Sequence, residues 1–319
     1  MLLSYAGLIP LFIGRAGKLH THHHHGKGKV LQWSVVATLA FVVVEIIAGL
    51  RAHSLALLSD AGHNFTDALS LVLAAIAVLL ETRPANKVKT FGYQRAGVLA
   101  AFVNALTLLL ISAIILYESV QRFLTPEPVQ EWTMLVVAGL AFLVNFVIMW
   151  SLHRDKDDLN VRAAFIHMLG DALGSLGIMA GAVIIHFTGW QQVDPILSIV
   201  IAFLIVWTAW DIIKESLNIL LEGLPRGMEL GTVTTAMRKV EGVIDVHDLH
   251  IWSLGSNKHA LSCHVQIADM PPSESESILK RLNDVLCGFH IHHTTVQFEH
   301  AHCGVSENGC SLVAPHMHL

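Results

Sequence analysis

The chain has 319 residues, of which 53% are hydrophobic and 14% carry a formal charge, whereas about 25% are charged in an ordinary soluble domain. This composition argues against a conventional soluble enzyme. The 20 Lys and Arg residues are outnumbered by 25 Asp and Glu residues, so the basic excess that binds nucleic-acid phosphates is missing and we expect no nucleic-acid partner.

The first 29 residues contain a dense histidine tract. An apolar stretch over residues 2–13 precedes the tract, but it is too short to cross a bilayer and lacks the positive start of a secretory signal. We predict residues 1–29 to be a cytoplasmic, histidine-rich arm. The histidines of the tract are His20, His22, His23, His24 and His25.

Six apolar runs follow, each close to the length of about 20 residues that a helix needs to cross the hydrocarbon core. They cover residues 30–50, 54–80, 96–117, 132–152, 161–187 and 194–210. One such run fits a buried helix of a soluble core, but six runs joined by short links fit only a membrane bundle. The sequence therefore predicts an all-α bundle of six transmembrane helices within residues 30–217.

The distribution of basic residues predicts the orientation of this bundle. With the N-terminus inside, 11 Lys and Arg residues flank the inner ends of the runs, and only Arg51 and Arg122 flank the outer ends. Cytoplasmic flanks carry the excess of positive charge. Both termini are therefore expected in the cytoplasm.

After the sixth run the composition changes to that of a small acidic domain, predicted over residues 223–303 with a tail over residues 304–319. Residues 228–240 suit a helix and residues 243–254 a strand. Leu261, Cys263, Val265 and Ile267 alternate with polar residues, which indicates a half-buried hairpin partner. The sequence Ser273 to Glu276 has the form of a capping box and opens a helix ending near Gly288, and residues 294–299 form a third strand. We predict a cytoplasmic α+β domain of order αββαβ, ferredoxin- or metallochaperone-like.

Ionisable residues inside the membrane are costly, and they usually mark function. His63 and Asp67 in the second run are four residues apart, as are His167 and Asp171 in the fifth, and this spacing puts each pair on one helix face. One such pair is also typical of a buried hydrogen bond. Two copies, both followed by Ala-Leu, favour a shared metal site, and two imidazoles with two carboxylates suit tetrahedral Zn²⁺.

Other features of the membrane part leave alternatives open. Glu45 and Asp60 either face a water-filled cavity, as a route for protons or ions, or make a polar contact between helices. Small residues around the second pair either allow close helix approach or serve only packing; they are Gly170, Gly174, Ser175, Gly177 and Gly181.

Together these motifs resemble the cation diffusion facilitator family, more specifically its zinc-type bacterial exporters. The resemblance covers residues 30–299. It is carried by the two intramembrane pairs, the link from Arg83 to Tyr93, Pro195 at the start of the sixth run, and the strand from His247 to Trp252. It implies a homodimeric Zn²⁺/H⁺ antiporter in the lipid bilayer, in which zinc is both the transported substrate and a regulatory ligand.

The resemblance also assigns the ligands. It implies a transport site of His63, Asp67, His167 and Asp171. In the cytoplasmic domain it implies regulatory zinc at His247, His264 and Glu299, with His292 as a bridging or cross-subunit ligand. Period-two alternation puts His247 on the same side as Leu249 and Ile251, so the choice between His247 and His250 stays open. The link over residues 84–94 contains no His, Asp or Glu, and we predict no metal site there.

Two weaker metal-binding features lie near the termini. The N-terminal tract resembles the histidine-rich arms of the family, which implies either low-affinity zinc capture or a solvated tail. His302 and Cys303 lie within ligand reach of one another along the chain, and thiolates favour Zn²⁺. They are candidates for a further metal role.

The expected function is export of zinc from the cytoplasm across a bacterial inner membrane, in exchange for protons. Cd²⁺ is the expected companion substrate, and no enzymatic activity is expected. Two alternatives are a membrane zinc sensor that transports nothing and an intramembrane zinc hydrolase. A hydrolase needs an open metal position for water and a general base, whereas all four positions here are occupied by protein ligands.

Overall fold

The computed structural model describes residues 25–152, 159–255 and 258–300. Within them it contains eight helices and three strands. The helices are α1 (His25–Ala52), α2 (Leu55–Glu81), α3 (Ala96–Leu124), α4 (Glu131–Leu152), α5 (Leu159–Thr188), α6 (Val193–Leu220), α7 (Leu230–Arg238) and α8 (Pro272–Cys287). The strands are β1 (Val243–Gly255), β2 (Lys258–Ile267) and β3 (Ile291–Glu299).

The helices α2 to α6 are long and apolar enough to cross a membrane, and α1, with 28 residues, covers the first predicted span. These helices and the αββαβ order that follows confirm the predicted fold class. The described residues form two compact units, one within residues 25–76 and 100–213, the other within residues 77–99 and 214–300. The N-terminal tract up to His24, and the C-terminal candidates His302 and Cys303, lie outside the described residues.

Small residues fill much of the space between the helices of the first unit. The side chains of Ala52, Ala56, Ala138 and Ala182 are buried together with those of larger residues such as Leu57. Close approach in membrane bundles depends on such small side chains, because lipid supplies no hydrophobic force between helices.

The four glycines of α5 fall into two groups according to whether another helix lies close to them. A Cβ atom added at Gly181 would collide with the side chain of Leu197 on α6, whereas Gly170, Gly174 and Gly177 have no such neighbour within 4 Å. Within the described residues of this chain, only Gly181 among the four is required for close approach of another helix.

Asp194, at the start of α6, caps the first turn of α2. Its carboxylate accepts bonds from Ser54 Oγ (2.6 Å), Leu55 N (2.7 Å) and Ala56 N (3.3 Å), and both Ser54 and Asp194 are fully buried. The first amide groups of a helix lack partners within the helix, and a carboxylate there also meets the favourable end of the helix dipole. Asp194 therefore holds α2 and α6 in a defined register.

The second unit contains a three-stranded sheet of order β1-β2-β3. β1 and β2 are antiparallel, as the predicted hairpin requires, whereas β2 and β3 are parallel and joined by α8 as a crossover. The core includes Val233, Leu261, Val265, Leu282 and Leu286. Because α7 and α8 cover one face, the polar side chains of β2 lie on the other.

The predicted capping box does not form. Helix α8 begins at Pro272 after Pro271, and no side-chain bond caps it. Proline is favoured in the first turn because it lacks an amide hydrogen that would need a partner. The two prolines thus start the helix one residue before Ser273, which becomes the second helical residue and not the N-cap.

Because three bonds depend on one buried carboxylate, we expect Asp194→Ala to destabilise the protein by about 2–4 kcal/mol. Asp194→Asn, which keeps one acceptor oxygen for Ser54, is expected to lose less. Denaturation of the purified protein in detergent measures both effects. Glu118→Ala on α3, where the side chain is exposed, is the control, and equal stability of Asp194→Ala and Glu118→Ala would contradict the capping role.

Candidate metal sites

The helices α2 and α5 bring four predicted ligands together in the first unit. His167 Nε2 lies 3.1 Å from Asp67 Oδ2 and 3.5 Å from Asp171 Oδ2. His63 Nε2 lies 3.4 Å from Asp171 Oδ1 and 3.7 Å from Asp67 Oδ2. Each imidazole thus contacts the carboxylate of its own helix and that of the other helix.

These distances match the coordination of zinc. With bonds of 2.0–2.2 Å, two donors of a tetrahedral Zn²⁺ lie about 3.3 Å apart. One donor atom from each of the four residues lies within 4.8 Å of the other three, and the four distances above run from 3.1 to 3.7 Å. A small shift of the side chains would close the set around an ion.

Charge within this group is balanced by the group itself. Among the described residues, no Lys or Arg forms an ion pair with Asp67 or Asp171; their ion-pair partners are the two imidazoles. Asp171 is 8% exposed, and removing an unpaired carboxylate from water is costly. The arrangement therefore favours a bound divalent cation, or protons in its place.

A second group of predicted ligands lies on the open face of the three-stranded sheet. His247 Nε2 is 3.2 Å from Glu299 Oε2, and His264 Nδ1 is 2.9 Å from Glu299 Oε1. His247 and His264 are paired across β1 and β2, while Glu299 comes from the end of β3, opposite Gln266. All three strands are needed to assemble this group.

The short contacts in this second group are not hydrogen bonds. Within the described residues, the buried atoms His247 Nε2, His264 Nδ1 and Glu299 Oε2 have no partner in hydrogen-bond geometry. One ligand atom from each of the three residues lies within 4.8 Å of the other two, so the three residues are placed to be ligands of one ion. The donor set, two imidazoles and a carboxylate, is one that Zn²⁺ accepts.

A β-bulge explains how His247 joins the group despite the alternation of β1. His247 pairs with His264 and His250 pairs with Ser262, so one extra residue stands on β1 between these pairs. Asp248 within the bulge has a φ of +48°. The bulge shifts the alternation, and His247 faces His264 although Ile251 is buried on the other side.

The remaining predicted ligands are placed differently. The side chain of His250 is 64% exposed and contacts Asp248 at 3.1 Å, outside the group. His292 is the second residue of β3, at the opposite end of that strand from Glu299, and its Nδ1 lies 3.5 Å from Cys287 Sγ. One residue was missed by sequence reasoning: Asp248 Oδ2 lies 3.9 Å from His264 Nε2, a position that follows from the bulge.

A bundle of membrane-crossing helices with a group of metal-binding side chains inside it, followed by a sheet domain, is the architecture of a membrane transporter for cations. Comparison with protein families agrees with this class. Residues 31–221 match the cation efflux transmembrane domain, and residues 225–301 match the cytoplasmic domain of cation efflux proteins.

Individual relatives cover most of the chain. A zinc transporter ZitB of Pectobacterium atrosepticum is 41% identical, over 94% of this chain and 93% of the relative. A cadmium, cobalt and zinc/H⁺-K⁺ antiporter of Bacillus subtilis is 39% identical, over 88% and 91%. The metal cation efflux system protein CzcD of Cupriavidus metallidurans is 39% identical, over 90% and 92%. The chain belongs to the cation diffusion facilitator family of multi-pass membrane transporters.

The two faces of β2 differ in their chemistry. Cys263, next to His264 in sequence, points into the core and is 2% exposed. Burial, with a contribution from the Asp248 carboxylate, raises the pKa of the Cys263 thiol to about 12. The nucleophilic and metal-binding form of cysteine is the thiolate, so Cys263 does not join the neighbouring histidines as a ligand.

This difference predicts how the cysteines react. In a variant with Cys303 and Cys310 replaced by serine, iodoacetamide at neutral pH should label exposed Cys287 and leave Cys263 unmodified until the protein is denatured. Mass spectrometry of peptides from native and denatured samples measures the labelling. Fast labelling of Cys263 in the native protein would contradict the burial of its side chain on the core side of β2.

Proposed function

We propose that the protein exports Zn²⁺ from the cytoplasm in exchange for protons, through a tetrahedral site of His63, Asp67, His167 and Asp171. The observation that carries this proposal is the convergence of two imidazoles and two carboxylates, from two helices, within 4.8 Å inside the helical unit. The names of the relatives support zinc as the substrate and the proton as a counter-ion. The name of the Bacillus relative also supports Cd²⁺ as a second substrate.

The chemistry of the four residues supports exchange of metal for protons. Imidazole and carboxylate bind metal only when deprotonated, and histidine titrates near physiological pH. Zn²⁺ arriving from the cytoplasm displaces protons from the site. When the bundle opens to the other side, protons compete for the same lone pairs and release the metal.

The site can bind Zn²⁺ tightly and still release it rapidly, because two of its four ligands are imidazoles. His63 and His167 each contact two carboxylates, so a protonated imidazole gains ion pairs that a metal-bound imidazole cannot make. The negative charge of the two carboxylates is therefore compensated in the protonated form of the site and in the zinc-bound form. This balance supports a carrier over a permanently loaded structural site.

The proposed orientation sets which domain faces the cytoplasm. The positive residues that flank the helices support cytoplasmic positions for both termini, and we propose the bacterial inner membrane as the location. The second group, His247, His264 and Glu299, would then face the compartment from which zinc is removed. We propose that it binds regulatory zinc in a homodimer, with His292 as a ligand between subunits. A non-transporting zinc sensor is the competing function, and membership of a transporter family argues against a zinc hydrolase.

The transport site predicts that Asp67→Ala and Asp171→Ala each reduce zinc uptake to the level of protein-free vesicles. Each variant leaves an open position and an unbalanced charge in the site. The measurement is zinc uptake into inverted vesicles with an imposed pH gradient and K⁺ absent, so that protons are the only counter-ion driving it.

Glu118→Ala, an exposed carboxylate on α3, is the matched control and should transport normally. Undiminished uptake by either site variant would refute the site. Zinc bound by the wild-type protein without any flux would instead identify a sensor.

If the second group, His247, His264 and Glu299, binds regulatory zinc, its loss should shift the dependence of the transport rate on zinc concentration. His264→Ala removes a donor that contacts Glu299 at 2.9 Å and should raise the half-saturating zinc concentration by about tenfold. His250→Ala, whose ring is mostly exposed outside the group, should leave it unchanged. The measurement is the initial rate of zinc transport in proteoliposomes over a range of buffered zinc concentrations. Identical rate curves for the wild type and His264→Ala would count against a regulatory role.

A further inference from the structure

Two acids inside the first unit take no part in the four-residue site. Glu45 on α1 is 0% exposed, and Asp60 on α2 is 6% exposed. Asn64 Nδ2 donates a hydrogen bond of 3.0 Å to Glu45 Oε2, while Glu45 Oε1 and Asp60 Oδ2 have no hydrogen-bond partner among the described residues. Throughout the described residues, neither acid forms an ion pair with Lys, Arg or His.

Two such acids cannot both stay ionised without a cation. Asn64, which bonds to Glu45, stands one helix turn after Asp60 on α2, so the two acids lie beside the same face of that helix. Two like charges beside one another in a site of low polarity favour a shared proton or a bound cation. Burial of an uncompensated carboxylate is costly. Within the described residues no third His, Cys, Asp or Glu joins the two acids in a group that could hold a metal ion, whereas a proton needs only two oxygens. The proton is the cation that fits.

The position of the pair along the helices is informative. α1 ends at Ala52 and α2 begins at Leu55, so Glu45 and Asp60 both lie toward the link between these helices. Asp60 precedes His63 by three residues, which is about 4.5 Å along the axis at 1.5 Å per residue. The positive-inside orientation places this link on the outer face. The pair therefore lies between the outer face and the transport site.

The groups that act on the pair are the transport ligands. Besides Glu45, the electrostatic neighbours of Asp60 are His63, Asp67 and Asp171. No ion pair joins Asp60 to His63 among the described contacts, so Asp60 is a separate acid and not a fifth ligand. Its charge nevertheless depends on whether the neighbouring site holds a divalent cation.

We propose that Glu45 and Asp60 share one proton and serve as the proton-binding station through which the transport site is reloaded from the outer face. The proposal rests on the proposed Zn²⁺/H⁺ exchange. When Zn²⁺ leaves, one proton passes from the pair to the emptied site. The pair, now with two negative charges, takes up one proton from the outer side. Only O–H and N–H bonds break and form, and each proton lost by the pair is replaced.

The test uses Glu45→Gln in the full-length protein, because Gln removes the ionisable group but keeps an oxygen that accepts from Asn64. We expect zinc binding in detergent to stay within about twofold of wild type. Zinc transport driven by a pH gradient should fall by at least about tenfold, with a flatter dependence on the pH of the outer-face compartment. Asp60→Asn should behave in the same way, because either variant leaves a single acid.

Glu118→Gln is the control and should keep the wild-type pH profile. If Glu45→Gln and Asp60→Asn both transport with the wild-type rate and pH profile, the shared-proton station is overturned while zinc export stands. If zinc binding is lost together with transport in both variants, the two acids are structural and the station is again overturned. If the proposed Zn²⁺/H⁺ exchange is itself wrong, zinc flux through the wild-type protein will not respond to the pH gradient. That result distinguishes failure of the exchange from failure of the station.

Discussion

The structure of the first unit depends on one constraint: ionisable side chains that are buried away from water need another group to compensate their charge. Asp194 is compensated by three hydrogen-bond donors at the start of α2. Asp67 and Asp171 are compensated by two imidazoles. Within the part of the chain that the structure describes, Glu45 and Asp60 retain oxygens that no protein group satisfies. The three solutions correspond to a structural contact, a candidate metal site, and a pair of acids without a compensating positive charge.

These solutions are coupled through helix α2. The cap from Asp194 fixes the first turn, and His63 and Asp67 follow two to three turns later on the same rigid helix. An α-helix advances about 5.4 Å per turn, so a slip of one residue at the capped end would rotate both ligands away from α5. A contact far from the metal ligands thereby maintains donor distances of 3.1 to 3.7 Å. Stability and the geometry of the candidate transport site depend on the same helix register.

The second unit assembles its group by a different route. A helix presents ligands at a spacing of four residues, whereas the sheet brings His247, His264 and Glu299 from three strands that are far apart in sequence. The bulge at Asp248 is required, because without it His247 would follow Ile251 into the core. The opposite face of β2 is apolar and keeps the Cys263 thiol protonated. One strand thus separates a candidate metal-binding surface from a hydrophobic core.

The sequence by itself determined the features that are local in the chain: the apolar runs, the order of the elements, and the His-x-x-x-Asp spacing on α2 and α5. Hydropathy and periodicity report on neighbours within a few residues, so they also predicted the face of His264. Only the tertiary structure decided which elements meet. It placed His247 in the group and His250 outside it, moved the start of α8 to Pro272, and put His292 beside Cys287. It also brought Asp194 to α2 and Asn64 to Glu45. These outcomes depend on contacts between residues distant in sequence, where packing and the satisfaction of buried polar groups outweigh local preference.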